Sequence, residues 1–276
     1  MPTLIKKLTP DGLQNVDYSA SSLSDAAQYE PDDGIYTVAN TFNTYDTLKL
    51  DAHFDRMEDS ARRADIALNL DRQGVQNALR QMIDEANYGD VRFRVTVSKA
   101  NPQVYWLTIE PFSPPSQYII ENGVRCITAA NSARQNAEAK TTDWMHNRKA
   151  LADAMPEGIY DTFLLDIDGY LLEGLGSNFF AITENELRTA GEGVLKGISQ
   201  QIVYEVAPDI IPVRKEAVHV DDIANFREAF LTSSSRGIIP VVEIDGIPIG
   251  DGSVGAITKQ LRQAYSKWMD ANLKPL

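Results

Sequence analysis

The apolar positions of the chain follow two periods, and each period predicts its own elements. GIYTVANTF (34–42), VRFRVTV (91–97) and VYWLTIE (104–110) are rich in β-branched and aromatic residues and read as strands. In VRFRVTV the alternation puts Arg92, Arg94 and Thr96 on one face and Phe93, Val95 and Val97 on the other. Two arginines therefore point together, away from the apolar side. Two helices are expected between the first two strands. In the earlier one, Leu50, Phe54, Met57, Ala61, Ala64 and Leu68 recur at spacings of four and three, which predicts a helix over 50–68 with a single apolar stripe. Its other flank carries His53 and Arg56.

Later in the chain the period-two pattern dominates. TFLLDIDGYLLEG reads as a hairpin turning at Asp168-Gly169, and VVEIDGIPIG as a second hairpin around Asp245-Gly246. NFFAI and ELRTA read as further strands, and helices are expected over 144–155, 199–207 and 254–270. Between the two patterns lies PFSPPSQ (111–117), whose three prolines and two serines mark a break. The expected organisation is a domain over 1–112, a linker over 113–117 and a larger domain over 118–276. Antiparallel hairpins with segregated helices imply an α+β chain rather than a parallel doubly wound sheet.

Composition narrows the chemistry. With 43% hydrophobic and 24% charged residues the chain reads as an ordinary globular protein. Its 39 acidic against 26 basic side chains give a formal charge of −13, which would repel phosphate backbones and argues against nucleic acid as a partner. MPTLIKKLTPDG lacks the apolar core of a signal peptide, and no later stretch reaches the roughly 18 apolar residues a membrane helix needs. A cytoplasmic, membrane-free protein is expected. The single cysteine, Cys126, lies in the apolar run GVRCITAA, can form no internal disulfide, and reads as a buried structural thiol.

The common motifs fail. In GEGVLKGIS the lysine precedes the glycine, so the phosphate-loop order is missing, and EGLGSNFF has no third glycine at the dinucleotide spacing. His53, His146 and His219 are scattered without a cysteine cluster, so no metal site is expected. The serine elbow of hydrolases does not occur. Four separated pieces remain: Arg56 on the early helix, Lys140 at a strand-to-helix junction, Glu173 after the apolar strand YLL, and LKGIS with LTSSSRGIIPV. Each has a plain structural reading taken alone.

Their joint order resembles the fold-type IV pyridoxal-phosphate enzymes, the family of branched-chain and D-amino acid aminotransferases and aminodeoxychorismate lyase. DDGIYTVANTF and HFDRMEDSA are similar to the family's early signature, KTTD to its lysine segment, and EGLGSNFF to its most specific element. LKGIS and FLTSSSRGIIPV follow in the family's order. The resemblance runs from about Asp33 to Tyr265. It implies a small N-terminal α/β domain and a larger C-terminal domain with a β-barrel-like sheet and helices. It also implies a homodimer whose active site lies at the domain boundary and is partly completed by the partner subunit.

The resemblance implies that Lys140, and not Lys149 in the following helical run, forms the Schiff base with pyridoxal 5'-phosphate and later shuttles a proton. That task needs an amine able to lose its proton near neutral pH, which burial beside a cationic ring favours and which arginine could not perform. Glu173 resembles the carboxylate that keeps the ring nitrogen protonated. Ile198 and Ser199 open a helix whose free N–H groups can hold the phosphate, with Ser233, Ser234 and Arg56 as further contacts and Asn178 in support. Tyr36, Arg94 and Ser235 resemble substrate contacts, Ser235 through nearby backbone N–H groups. Val97, Asp143 and Trp144 stand where family members carry other residues, so the pocket departs from the usual form. The first reading is a transaminase acting on amino acids and 2-oxo acids. The alternatives are an aminodeoxychorismate-type lyase that releases pyruvate, and a pyridoxal-phosphate-binding protein without turnover.

Overall fold

A computed structural model describes residues 3–276, which divide into two compact units. The first takes the described residues up to Ser113 together with Ala139–Asn147 and Asn272–Leu276, and the second takes Pro114–Glu138 with Arg148–Ala271. The single cut expected at 113–117 thus misses two returns of the chain to the first unit. Hydrogen bonds make the reason visible. Tyr36 N donates to the Lys140 carbonyl at 3.0 Å, and the C-terminal strand Leu273–Pro275 pairs with Asp46–Leu48.

The first unit is an antiparallel seven-stranded sheet. In spatial order its strands are Leu273–Pro275, Asp46–Leu48, Gly34–Phe42, Val91–Ser98, Tyr105–Pro111, Leu4–Thr9 and Gly12–Asn15. Helices Leu50–Arg63 and Arg72–Ala86 cover one face, where Phe54, Met57, Leu79 and Met82 pack on Ile35, Phe93, Val95 and Val97. The apolar half of VRFRVTV faces this core, as its alternation predicted. The early helix is shorter than expected and ends at Arg63. Asp65 adopts a left-handed φ of 53°, and Ile66 N returns to the Ala61 carbonyl at 2.8 Å. Ile66 still reaches the core from this non-helical segment, which is why the apolar rhythm outruns the helix.

The other face of this sheet is buried as well. Ala20 and Ala26 pack with Ile5 against it, the Tyr18 and Tyr29 rings stack at 4.3 Å, and Arg94 and Thr96 lie fully inside.

In the second unit, Val124–Ala129, Asp161–Leu165, Tyr170–Gly174, Asn178–Ile182, Glu228–Ser233 and Gly237–Ile244 form a six-stranded barrel. It closes where Glu173 of one strand pairs with Asn178 of the next. Phe163, Phe179, Leu231 and Ile239 fill the core beside Cys126, whose buried thiol is pushed well above its usual pKa by loss of solvent. Both expected hairpins form. At the second, Asp245 and Gly246 have φ of 53° and 78°, the doubly left-handed turn that matches strand twist. ELRTA contributes only Leu187–Arg188 to the sheet. Helix Ile198–Val206 and all but the last residue of helix Ala256–Asn272 belong to this unit, and both lie close to their expected bounds.

Candidate active site

In the first unit the polar residues gather around the Gly34–Phe42 strand. Lys140 lies two residues before the first residue of the helix Thr142–Asp153. Its backbone is fixed on both sides, N–H to Ser60 Oγ at 3.0 Å and carbonyl to Tyr36, while Thr141 bridges Ile35. Thr142 Oγ1 accepts from Gly34 N at 2.6 Å, and a Cβ on Gly34 would lie 2.3 Å from the Val97 carbonyl, so glycine is required for this approach. The Lys140 ammonium stands 4.6 Å from the centre of the Tyr36 ring. Lys149 is exposed and pairs with Asp153 one turn on.

Arg56 and His53 leave the early helix towards the same strand. Arg56 Nη2 donates to Thr37 Oγ1 at 3.3 Å, and His53 Nδ1 shares a 2.9 Å hydrogen bond with that hydroxyl. Burial, and then the charges of Arg56 and Lys140, hold the His53 pKa well below 6.5. The imidazole is therefore neutral between two cations. Burial also lowers Arg56 to about 10, which leaves it charged at neutral pH.

Arg94 is engaged differently from its expected role. Its Nε donates to both oxygens of Glu30 at 2.9 Å, its Nη2 also meets Glu30, and Thr96 Oγ1 adds a 2.5 Å hydrogen bond. The guanidinium expected to meet a substrate carboxylate already holds an internal one.

In the second unit the barrel closure sets Glu173 and Asn178 side by side. The turn between them is anchored by Asp161, which accepts from Leu175 N at 3.1 Å and from Ser177 Oγ at 2.8 Å. A Cβ on Gly174 would lie 2.3 Å from Ser177 Oγ, which explains the glycine after the glutamate. Glu173 is 4% exposed. Its Oε1 accepts from Arg134 Nη1 at 2.9 Å and its Oε2 from Leu195 N at 3.1 Å. Asn178 Nδ2 donates to the Leu195 carbonyl at 2.8 Å. The same segment then opens helix Ile198–Val206 at Gly197, with no side-chain cap. One short stretch thus ties a buried carboxylate to a helix start that favours anions.

Ser199, in the first turn, hydrogen-bonds Tyr265 Oη at 2.9 Å. Tyr265 is buried and its phenol is raised to about 12. Ser233 ends its strand and accepts from Arg236 Nε at 2.8 Å, and the turn that follows carries Ser234 and Ser235, both half-buried. Glu30, Arg134, Asp161 and Tyr265 escaped the sequence reading, because each acts through a partner distant in the chain. Among the described residues no cluster of His, Cys, Asp or Glu could hold a metal ion, and no helix is long and apolar enough to cross a membrane.

Comparison with known proteins adds an independent line. The family model for amino-transferase class IV matches residues 34–244. The chain is 28% identical to a D-alanine aminotransferase of Bacillus licheniformis over 251 residues, covering 86% of this chain and 87% of the relative. Its fold is similar to the crystal structure of the Escherichia coli branched-chain amino acid aminotransferase. There the TM-score is 0.79 at 20% identity, over 98% of this chain and 95% of that one. The branched-chain aminotransferase of Thermoproteus uzoniensis with norvaline gives 0.80 at 20% identity, over 100% and 99%.

Proposed function

From the premise that this chain belongs to the amino-transferase class IV family and is a pyridoxal-phosphate-dependent transaminase, we propose that Lys140 is its reactive amine and Glu173 its ring-nitrogen partner. One observation carries this reading. The Leu195–Ser199 stretch joins the buried carboxylate of Glu173 to an uncapped helix start, the two things a pyridinium ring with a phosphate tail requires.

The rest of the donor set fits the same group. Lys140 is the amine for its aldehyde. Arg56, the first N–H groups at Ile198 and Ser199, and the hydroxyls of Ser199, Ser233 and Ser234 are donors for its phosphate, with Asn178 fixing the Leu195 turn. When bound, the cofactor supplies an aldehyde that takes up amines and a ring that accepts electrons.

Glu173 keeps a proton on the ring nitrogen, and Arg134 and the Leu195 N–H hold its two oxygens in place for that task. Lys140 is the amine that would hold the cofactor aldehyde, and its Nζ would accept the proton that leaves the substrate Cα. Tyr36 sets the position of that ammonium through its ring face. The neutral His53 adds no charge of its own beside Arg56 and Lys140. In this reading the turn at Ser235 would meet the substrate carboxylate through its backbone. The enzyme is further taken to be a cytoplasmic homodimer, a reading supported by the family resemblance and checked by the mass of the holoenzyme in solution.

Lys140→Ala abolishes borohydride-trapped labelling of the protein by pyridoxal phosphate, whereas Lys149→Ala retains it. Equal labelling of the two variants would overturn the assignment. A screen of L- and D-amino acids with pyruvate or 2-oxoglutarate, followed through cofactor absorbance, identifies the donor. Release of pyruvate without any acceptor would count against transamination.

A further inference from the structure

We propose that Glu30 determines the substrate class of this enzyme by cancelling the charge of Arg94, so that the substrate side chain meets a neutral surface and a second carboxylate is turned away. The inference rests on the transaminase reading of Lys140.

The observations lie on one face of the first unit's sheet. Lys140 stands over the ring of Tyr36. Tyr36 lies opposite Thr96 in the register, and Thr96 is followed on the same face of its strand by Arg94, which lies opposite Thr108 on the next strand. From the reactive amine outward, the face therefore runs through an aromatic ring and a threonine to an arginine. An unmasked guanidinium there would be a ready site for a carboxylate, through two parallel N–H donors.

Glu30 occupies that fork. Arg94 Nε donates to both Glu30 oxygens at 2.9 Å and Nη2 donates as well, while Thr96 Oγ1 at 2.5 Å and Thr108 Oγ1 at 3.4 Å complete the acceptor capacity of the carboxylate. The side chains of Arg94 and Glu30 are 4% and 2% exposed. A buried pair with this many hydrogen bonds is closed. A substrate carboxylate would have to displace Glu30 and leave it charged and unpaired, which is costly. Glu30 arrives on the segment that caps this face, just after a 3-10 turn ending at Tyr29, and not on the sheet itself. The mask is thus a separate piece of chain laid over a strand that would otherwise offer a cation.

The test compares norvaline with glutamate, which have side chains of similar length and differ in the terminal carboxylate. Both enantiomers of each are titrated into the pyridoxal-phosphate-loaded enzyme and half-reaction constants are read from cofactor absorbance. The wild type should favour norvaline. Glu30→Gln should shift the norvaline-to-glutamate ratio towards glutamate by about tenfold or more, the worth of a charge-assisted hydrogen bond, with the norvaline constants nearly unchanged. Adding Arg94→Met to Glu30→Gln should remove that gain. A wild type that takes glutamate as well as norvaline overturns the proposal even if Glu30→Gln fails to fold, and so does a folded Glu30→Gln with an unmoved ratio. Conversion of norvaline with no shift in the ratio sinks the masking role alone. No absorbance change with any donor would sink the transaminase reading of the site, and the inference with it.

Discussion

At the scale of the residue, the informative groups are those whose charge is fixed by one neighbour. Glu173→Gln preserves the shape that meets Leu195 N but removes the charge facing Arg134 at 2.9 Å. Turnover should fall about a hundredfold or more, within the range of a positioned proton-holding group, while cofactor binding measured by fluorescence changes far less. His53 gives a pH signature. Its folded pKa lies well below the 6.5 of an unfolded imidazole, so the unfolded chain binds the extra proton first as pH falls. The native state therefore loses stability below pH 6.5, by at most about 1.4 kcal/mol per pH unit, and keeps it above. His53→Gln should flatten the fall in Tm between neutral pH and the low end of this window. Lys140 and Glu173 could be proposed from the sequence because the chemistry of the implied cofactor would demand those residue types at those motif positions. Glu30 and Arg134 were not, since their partners lie 64 and 39 residues away and only the fold joins them.

At the scale of the element, legibility followed turn chemistry. Asp245-Gly246 announced its hairpin because both residues tolerate positive φ, and the helix over Ile198–Val206 was framed by Gly197 and Ser199. The overlong early helix shows the converse. A stripe of apolar residues reports burial, and Ile66 is buried in the first unit's core after the helix has ended at Arg63. The strands Leu4–Thr9 and Gly12–Asn15 were also missed, because their lysines and short length hide the alternation. Gly197 tests an element directly. Its backbone, at φ −65° and ψ 141°, would accept alanine, but the new Cβ would lie 2.0 Å from Asn178 Oδ1. Gly197→Ala should displace Asn178 and the start of the helix, and raise the dissociation constant for pyridoxal phosphate about tenfold by equilibrium titration, with little change in Tm.

At the scale of the whole molecule, the chain's two later returns to the first unit were not readable from any local pattern. Nothing in KTTD or NLKPL distinguishes a strand partner from a loop; the pairing of Leu273–Pro275 with Asp46–Leu48 is a property of distant sequence. Leu276 lies in the first unit's core, so removing residues 272–276 strips an edge strand and a buried side chain together. Thermal unfolding should begin several degrees lower, at about 2–4 °C for each kcal/mol lost. The second unit carries a different liability. Its six strands form a hoop fastened between neighbours by the rung at Glu173 and Asn178, and the carboxylate on that rung is the one proposed to hold the ring-nitrogen proton. Precision at the carboxylate and integrity of the hoop are therefore one property. A sequence cannot relax the fastening to gain mobility there without also loosening its grip on the acid.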